Sequence, residues 1–266
     1  MPELPEVQTI VDELNSQIIG KSITSIIENR NGTIISNNKE FKFGKLNKIN
    51  RRGKYIILKT SHSNIVVHLR MTGKLIYEEN LAESSSHSRA EILFLDKTKL
   101  IFDDVRTFGK IWILPNAEEL SGIKNLGAEP LEKKFDKDYL KEKIQNRKVP
   151  IKSLMLEQNI IAGLGNIYVC EILFRAKIHP ESFGKNLPET EIENIVRQTK
   201  IVLSEAIKHN GTTISDYRRV DGKTGEFQNF LKVYQKDFCE CGNKISKIKI
   251  AGRSTYFCDE CQKLFK

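Results

Sequence analysis

The first residues of the chain combine types that could do covalent chemistry. The sequence begins Met1-Pro2-Glu3-Leu4-Pro5-Glu6. If Met1 is removed, Pro2 presents a secondary amine that titrates at about pH 8, so part of it is unprotonated at neutral pH and can attack an electrophilic carbon. Glu3 could then transfer protons, with Glu6 nearby. The alternative is that Pro2 and Glu3 only open a helix, which is the commoner role of such residues.

Four cysteines near the end of the chain have the spacing of metal ligands. Cys239 and Cys241 are separated by one residue, and sixteen residues later Cys258 and Cys261 are separated by two. Two close thiolate pairs on either side of a loop suit a tetrahedral Zn²⁺ ion, whereas a reducing cytosol argues against disulfides. The sequence therefore predicts one structural zinc ion held by these four residues.

The segment between the two cysteine pairs predicts a small β-hairpin. Residues 244–257 alternate basic and apolar side chains, then pass through a glycine turn to a second short run, with Arg253 at the tip. A hairpin of this size cannot hold itself together without a metal, so the zinc is expected to be structural. The fifth cysteine, Cys170, lies in an apolar helical run and is expected to be a buried, inert thiol.

Length and composition describe a globular chain rather than a disordered or fibrous one. The 266 residues are 39% hydrophobic and 29% charged, enough for two modest domains. No apolar run is long enough to span a membrane and the N-terminus has no signal-peptide core, so a cytoplasmic protein without a membrane partner is expected. The net charge of +9 suits a polyanionic partner, although proteins that bind none can carry it too.

Hydrophobic periodicity predicts an N-terminal helix followed by a β-rich region. Apolar residues recur at helical spacing over residues 5–19, and Gly20 provides a C-terminal stop. Short β-patterned runs follow, with Asn31-Gly32 as the expected turn of a hairpin. These runs occupy residues 22–28, 33–36, 54–60, 64–70, 74–77, 90–95, 99–103 and 110–114.

Beyond Pro115 the pattern becomes helical. Helices are expected near 117–122, 136–146, 150–159, 165–175 and 189–209. Gly163-Leu-Gly165-Asn166 joins two of them, and backbone N–H groups at the start of the second could bind a phosphate. The glycine pair alone is a weak indication, because most such turns are only structural. A helix-turn-helix with a zinc hairpin in a basic chain nevertheless makes DNA the expected partner.

Several motifs, in order along the chain, together resemble the formamidopyrimidine-DNA glycosylases. They are Pro2-Glu-Leu-Pro-Glu-Val7, His68-Leu-Arg-Met71, Asp104-Val-Arg106-Thr-Phe108-Gly, Gly163-Leu-Gly-Asn-Ile-Tyr168 and the terminal cysteines. The resemblance covers essentially the whole chain. It implies a base-excision enzyme that flips an oxidised purine, such as 8-oxoguanine or a formamidopyrimidine, out of double-stranded DNA and cleaves its glycosidic bond. Strand cleavage by β- and then δ-elimination would follow through a Schiff base on Pro2.

The resemblance also implies roles for individual residues. Catalysis would fall to Pro2, Glu3 and Lys54, with Glu6 organising the N-terminus and Lys54 contacting the phosphate beside the lesion. The DNA backbone would be contacted by His68, Asn166, Tyr234 and Arg253. The space left by the everted base would be filled by Met71, Arg106 and Phe108, the arginine addressing the orphaned cytosine. The alternatives are that Lys54 is an ordinary exposed lysine and that Met71 and Phe108 are buried core residues.

The architecture implied by the resemblance is α+β in four parts. An N-terminal helix and catalytic β-sandwich would occupy residues 1–115, a linker 116–135, a helix-two-turn-helix DNA-binding domain 136–230, and a zinc finger 231–266. Residues 212–228 correspond to a lesion-capping loop, and the enzyme is expected to be a monomer. The family usually has two residues inside the first cysteine pair, so the single residue between Cys239 and Cys241 tightens that turn.

Two other functions remain open at this point. One is a glycosylase for oxidised pyrimidines, like endonuclease VIII, with the same chemistry but a different pocket. The other is a non-catalytic zinc-finger protein that binds DNA through the same helices and hairpin. The presence of Pro2, Glu3 and Lys54 favours an enzyme over the second alternative.

Overall fold

The computed structural model describes residues 1–36, 41–79, 85–214 and 217–266. By their contacts these residues form two compact units, Met1–Lys124 with His209–Gln228, and Asn125–Lys208 with Asn229–Lys266. Residues 209–228 therefore pack with the N-terminal unit, although the sequence grouped them with the helices that precede them. The boundaries at 115, 135 and 230 remain predictions. No helix in the described ranges is long and apolar enough to cross a membrane.

Helix α1, Leu4–Ile18, opens the first unit. Its first turn is closed by a capping box between Glu3 and Glu6, which satisfies backbone N–H groups that a helix start leaves without partners. Its buried face follows the 3.6-residue period that the sequence shows, because only that spacing puts the apolar side chains on one side. The face comprises Leu4, Val7, Ile10, Val11, Leu14 and Ile18.

Within the described part of the first unit, nine strands form one sheet. They are β1 Ser22–Glu28, β2 Ile34–Ser36, β3 Gly44–Arg52, β4 Tyr55–Thr60, β5 Asn64–His68, β6 Lys74–Glu78, β7 Ser88–Phe94, β8 Lys99–Asp103 and β9 Lys110–Leu114. Their order is β2-β9-β5-β4-β3-β1-β7-β8-β6. Helix α2, Ser121–Lys124, ends the segment that follows the sheet.

The sheet has two halves that join at β1 and β3. Only two residue pairs, Ser22 with Lys45 and Ile23 with Gly44, connect these strands, whereas the pairings within each half are longer. One continuous core contains buried side chains of both halves and of α1. The two β layers share one core, and helix α1 precedes them in the chain. This arrangement confirms the predicted N-terminal helix and β-sandwich.

Two sequence-based expectations about strands were wrong. Strand β3 was not predicted at all, and Asn31-Gly32 does not connect a hairpin. Gly32 does adopt a positive φ of 80° and turns the chain, but β2 pairs in parallel with β9 rather than antiparallel with β1. Asn31-Gly32 does form a turn, as predicted. The strand that pairs with the three-residue β2, however, depends on contacts distant in sequence.

The second unit contains four helices and a hairpin. The helices are α3 Lys137–Ile144, α4 Ile151–Leu156, α5 Asn166–Arg175 and α6 Glu189–Lys208, and the hairpin pairs β10 Ser246–Ile250 with β11 Arg253–Phe257. Gln158 closes the connection from α4 to α5, because its side chain bonds Gly163 N–H at 3.0 Å and the carbonyls of Leu156 and Leu164. The predicted helix-turn-helix and hairpin are thus both present.

Candidate functional site

The N-terminal pair of carboxylates is buried beside Pro2. Pro2 is buried, and Glu3 and Glu6 retain 4% and 2% of their exposure. The Glu3 N–H donates to Glu6 Oε2 at 2.7 Å, and the extended backbone of Glu3 turns the chain into α1. The start of α1 thereby fixes the main chain that follows residue 2. Helix opening and a chemical role are compatible here, since the capping box occupies only part of the carboxylate oxygens.

Glu6 also anchors the start of the predicted lesion-capping segment. Its Oε1 accepts the N–H of Thr212 at 2.7 Å, and Gly211 packs so closely that an added Cβ would lie 2.8 Å from this oxygen. Farther along, Tyr217 and Val220 enter the core of the first unit. Burial raises the pKa of the Tyr217 hydroxyl above its ordinary value, with the nearby carboxylates acting in the same direction. Ser215 and Asp216 lie outside the described residues.

Lys54, in the turn just before β4, and His68, at the end of the neighbouring β5, both carry buried polar groups. Lys54 is only 6% exposed, so the interpretation as an ordinary exposed lysine is wrong. It follows Gly53, whose φ of 54° makes the tight turn between β3 and β4. His68 ends β5, and its ring packs edge-on against Tyr55 at 4.7 Å.

The tautomer of His68 follows from its hydrogen bond. Its Nδ1 accepts the backbone N–H of Arg70 at 3.0 Å, so in the neutral ring the proton resides on Nε2. Burial lowers the pKa of His68 to about 3, and the positive charges of Arg70 and Lys54 act in the same direction. His68 can therefore offer a neutral N–H donor at physiological pH.

The three residues predicted to replace an everted base project from two loops. Met71 and Phe108 are 40% and 51% exposed, which excludes the buried core role considered for them. The Arg106 guanidinium lies 5.0 Å from the centre of the Phe108 ring, a cation–π distance. Large, solvent-exposed apolar side chains such as Met71 and Phe108, next to the charged Arg106, are suited to insert between DNA bases.

The four terminal cysteines form a metal centre. Their sulfur atoms all lie within 4.8 Å of one another, with Cys239 to Cys261 at 3.8 Å and Cys241 to Cys258 at 3.6 Å. A tetrahedron with Zn–S bonds of about 2.3 Å has edges of about 3.8 Å, so the donor set fits one zinc ion. The single residue between Cys239 and Cys241 does not prevent this geometry. The buried thiol of Cys170, also predicted, packs against the same cluster.

The second unit places three further predicted contacts near this hairpin. Arg253 is exposed at the start of β11, after the Ala251-Gly252 turn. The side chain of Asn166, the first residue of α5, donates to the carbonyl of Ser254 at 2.8 Å. The Tyr234 ring stacks edge-on with Tyr256 at 5.0 Å. The start of α5, the hairpin tip and Tyr234 are thus all tied to one small scaffold.

Three buried polar residues that support these positions were missed by sequence reasoning. Lys152 is fully buried and donates to Thr255 Oγ1 at 2.6 Å. Glu171 is also fully buried and accepts the N–H groups of Lys232, Val233 and Tyr234 at 2.8–3.0 Å. Asp104 is the third. A charged residue inside an apolar run, as at 152 and 171, is the sequence signal that could have revealed them.

Burial and hydrogen bonding oppose each other at Glu171. Burial raises the pKa of this carboxyl, while the three backbone N–H groups and Arg175 act to lower it. Its three hydrogen bonds fix the main chain that leads into Tyr234.

Family models match three segments of the chain. The model described as "Formamidopyrimidine-DNA glycosylase N-terminal domain" matches residues 1–111. The H2TH domain model of the same glycosylase matches residues 126–218. A zinc finger found in FPG and IleRS matches residues 240–264. These segments correspond to the β-rich region, the helices and the metal centre.

Full-length relatives and solved structures agree with these matches. The formamidopyrimidine-DNA glycosylase of Desulforamulus reducens is 42% identical over 280 residues, which cover 99% of each chain. The enzyme of the same name from Rickettsia bellii is 39% identical over 272 residues, covering 99% of this chain and 100% of the relative.

Two crystal structures of Lactococcus lactis FPG resemble the whole chain. One is a complex with a Fapy-dG containing DNA, with a TM-score of 0.89 and 37% identity over 98% of this chain and 100% of the other. The second, with an abasic site containing DNA, also has a TM-score of 0.89 and 37% identity, over 98% and 99% of the two chains. With a matching fold, metal centre and full-length relatives, the chain belongs to the formamidopyrimidine-DNA glycosylase family.

Proposed function

We propose that this chain removes oxidised purines from double-stranded DNA and then cuts the strand at the resulting abasic site. The observation that carries the proposal is the buried Pro2-Glu3 pair at the start of α1, in a chain that belongs to this family. The enzyme acts as a monomer in the cytoplasm, where bacterial chromosomal DNA lies.

The reaction begins with the Pro2 nitrogen. Its lone pair attacks C1′ of the damaged nucleoside, and the bond from C1′ to the base breaks with the electron pair leaving on the base. The proton that the Pro2 nitrogen loses after this attack passes to Glu3, and the departing base takes a proton from water. Opening of the sugar ring then gives an iminium between Pro2 and C1′, and Glu3 returns its proton to the ring oxygen. While Met1 precedes Pro2, the nitrogen is an amide and cannot make this attack.

Strand cleavage follows from the electron-withdrawing iminium. It acidifies the C2′ proton, whose removal expels the 3′ phosphate in a β-elimination. Loss of a further sugar proton expels the 5′ phosphate in a δ-elimination, which leaves a one-nucleotide gap. Hydrolysis of the remaining Schiff base releases the sugar fragment and regenerates the amine. Glu3, buried next to Pro2, is positioned to move these protons.

Lys54 and His68 bind phosphate oxygens beside the lesion. Lys54 supplies a positive charge, and the neutral Nε2–H of His68 supplies a hydrogen bond that needs no protonation. Asn166, Tyr234 and Arg253 contact the DNA backbone from the second unit. Such contacts position the duplex without reading its sequence, so lesions can be processed in any sequence context.

Met71, Arg106 and Phe108 together form a wedge that fills the space left by the everted base. Met71 and Phe108 supply apolar surface, and Arg106 supplies donors for the acceptor edge of the orphaned cytosine. When bound to the four cysteines, zinc closes the hairpin and takes no part in the chemistry at Pro2. Residues 212–228 contact the everted base, with Glu6 fixing the first residue of the segment.

Borohydride trapping tests the chemistry. Protein shown by intact mass to lack Met1 should form a covalent adduct with a duplex that contains 8-oxoguanine opposite cytosine. Pro2→Gly should lower the yield sharply, and Glu3→Gln should slow base excision about 10²–10⁴-fold. Asp12→Asn, a carboxylate change on the exposed side of the same helix, is the matched control and should have no effect.

Two results would overturn the proposal. Absence of an adduct from processed, zinc-loaded protein would leave a non-catalytic DNA-binding protein. Faster release of thymine glycol than of 8-oxoguanine would assign the enzyme to oxidised pyrimidines instead.

A further inference from the structure

Asp104 has a fully buried carboxylate at the end of β8 with three hydrogen-bond donors around it. Its Oδ2 accepts the backbone N–H of Gly109 at 2.8 Å. Its Oδ1 accepts the Arg106 N–H at 3.2 Å and the hydroxyl of Thr72. The Arg106 N–H also reaches Thr72 Oγ1 at 3.2 Å. One side chain thus bonds to both loops that carry the wedge residues.

Neither loop has a relaxed backbone of its own. Arg70, beside Met71, has a φ of 54°, and Thr107, between Arg106 and Phe108, has a φ of 62°. Left-handed conformations are unfavourable for residues with a side chain, and for β-branched threonine they are rare. Side-chain hydrogen bonds must therefore hold these conformations, and the carboxylate of Asp104, the first residue of the second loop, supplies them there.

The packing around Asp104 leaves little freedom to adjust. Gly109 lies so close to Phe102 that an added Cβ would be 2.4 Å from its ring. The Asp104 backbone carbonyl is itself held by Arg89 Nε at 2.7 Å. The carboxylate is therefore anchored to the sheet, and the loops adapt to it.

We propose that Asp104 is a positioning residue that couples the two wedge loops, so that Met71, Arg106 and Phe108 enter the stack as one preformed unit. This inference rests on the function proposed above. It assigns to Asp104 an effect on recognition of the opposite base, although its side chain is fully buried. Without it, the Arg106 backbone can shift and the guanidinium loses its fixed relation to the orphaned base.

Replacement by asparagine removes one hydrogen bond to the second loop with little change in shape. A carboxamide has one accepting oxygen, so whichever way it is turned, an NH2 group faces the N–H of either Arg106 or Gly109. Thr72→Val removes the two bonds that join the first loop to the second, one to the Asp104 carboxylate and one from the Arg106 N–H, and leaves the bonds from Asp104 to Arg106 and Gly109. Asp103→Asn is the matched control, because it makes the same change one residue earlier in a carboxylate that bonds Ser85 instead.

The experiment compares two reactions of each variant. Single-turnover excision of 8-oxoguanine is measured opposite each of the four bases, and cleavage is measured on single-stranded abasic DNA, which has no base to evert and no opposite base. Asp104→Asn should slow excision opposite cytosine about 10- to 100-fold and reduce the preference for cytosine, because a buried charge-assisted bond is lost. Cleavage of single-stranded abasic DNA should stay within about twofold of the parent.

Thr72→Val should show the same pattern with a smaller change, and it replaces Asp104→Asn if that variant fails to fold. Equal losses in both reactions, or an unchanged preference among opposite bases in a folded variant, would overturn the coupling. Failure of the parent protein to cleave abasic DNA would instead overturn the proposed function, so the two failures are distinguishable.

Discussion

The start of α1 and the zinc hairpin both carry residues predicted to take part in catalysis or binding, but different forces stabilise the two regions. The helix buries a continuous apolar face in a core shared with both halves of the sheet. The hairpin packs around a small cluster in which three of the five buried residues are cysteines, Cys170, Cys239 and Cys258. Apolar burial stabilises the first region, whereas the second depends on a metal. The two regions should therefore fail under different treatments.

Zinc removal is the change with the largest expected effect. Structural zinc contributes about 10–16 kcal/mol to folding in small zinc-finger peptides, far more than the cluster around these cysteines can supply. Chelation should unfold the hairpin and raise amide exchange across residues 239–261, while DNA affinity falls.

The single tryptophan makes this test selective. Trp112 lies in β9 of the first unit, so its fluorescence should not change on chelation. A simultaneous change in Trp112 emission would show that the two regions are not independent.

The converse change weakens the core under α1. Leu14 is fully buried, and Leu14→Ala should cost about 2–5 kcal/mol of unfolding free energy because it leaves a cavity. Urea unfolding followed by Trp112 fluorescence measures the loss, and Asp12→Asn on the exposed side should change it by less than about 0.5 kcal/mol. Zinc affinity, measured by release to a colorimetric chelator, should equal that of the parent. A lowered zinc affinity would contradict the separation.

A smaller effect is expected at Glu171, whose carboxylate accepts hydrogen bonds from the backbone of residues 232–234 before the hairpin. Glu171→Gln keeps one accepting oxygen and should lower the free energy of unfolding by about 1–3 kcal/mol, because the backbone N–H of Lys232 loses its acceptor. Amide exchange at 232–234 should rise, and DNA affinity should fall through Tyr234. Thr199→Ser, another buried polar position of the same unit, is the control. Unchanged exchange at 232–234 would show that Glu171 does not hold this segment.

The smallest effect concerns the pH response of His68. With its folded pKa lowered to about 3, the ring stays neutral from pH 5 to 8. The unfolded chain binds this proton near pH 6.5, so the stabilising contribution is complete above that pH and is lost as pH falls from about 6.5 towards 3. His68→Gln should make stability fall less steeply with acid over this range. A ring titration near pH 6.5, followed by NMR, would contradict the neutral donor.

Local patterns predicted much of this structure. Helix α1 was visible because its apolar spacing and capping residues agree, and β1, β8 and β9 match their predicted bounds. The metal centre could also be predicted from the sequence, since its four cysteine ligands come in two close pairs. In these cases the information needed lies within a few residues of chain.

Strand β3 shows why other elements were missed. Its two fully buried side chains, Leu46 and Ile49, are three residues apart because the register shifts between Leu46 and Lys48. A bulge of this kind breaks the alternation on which strand prediction depends. The parallel pairing of β2 with β9 and the bond from Lys152 to Thr255 were hidden for another reason, as each joins residues about 75 to 100 positions apart.

The burial of Pro2 has a consequence for how the protein is made. Met1 is 43% exposed, but the residue after it is covered once α1 has docked. An aminopeptidase must hold both sides of the bond it cuts, so the folded N-terminus is a poor substrate. If Pro2 acts as proposed, we therefore expect Met1 to be removed while the chain is still emerging from the ribosome. On the proposed chemistry, molecules that fold before this trimming would keep the residues predicted to bind damaged DNA but lack the amine that attacks it.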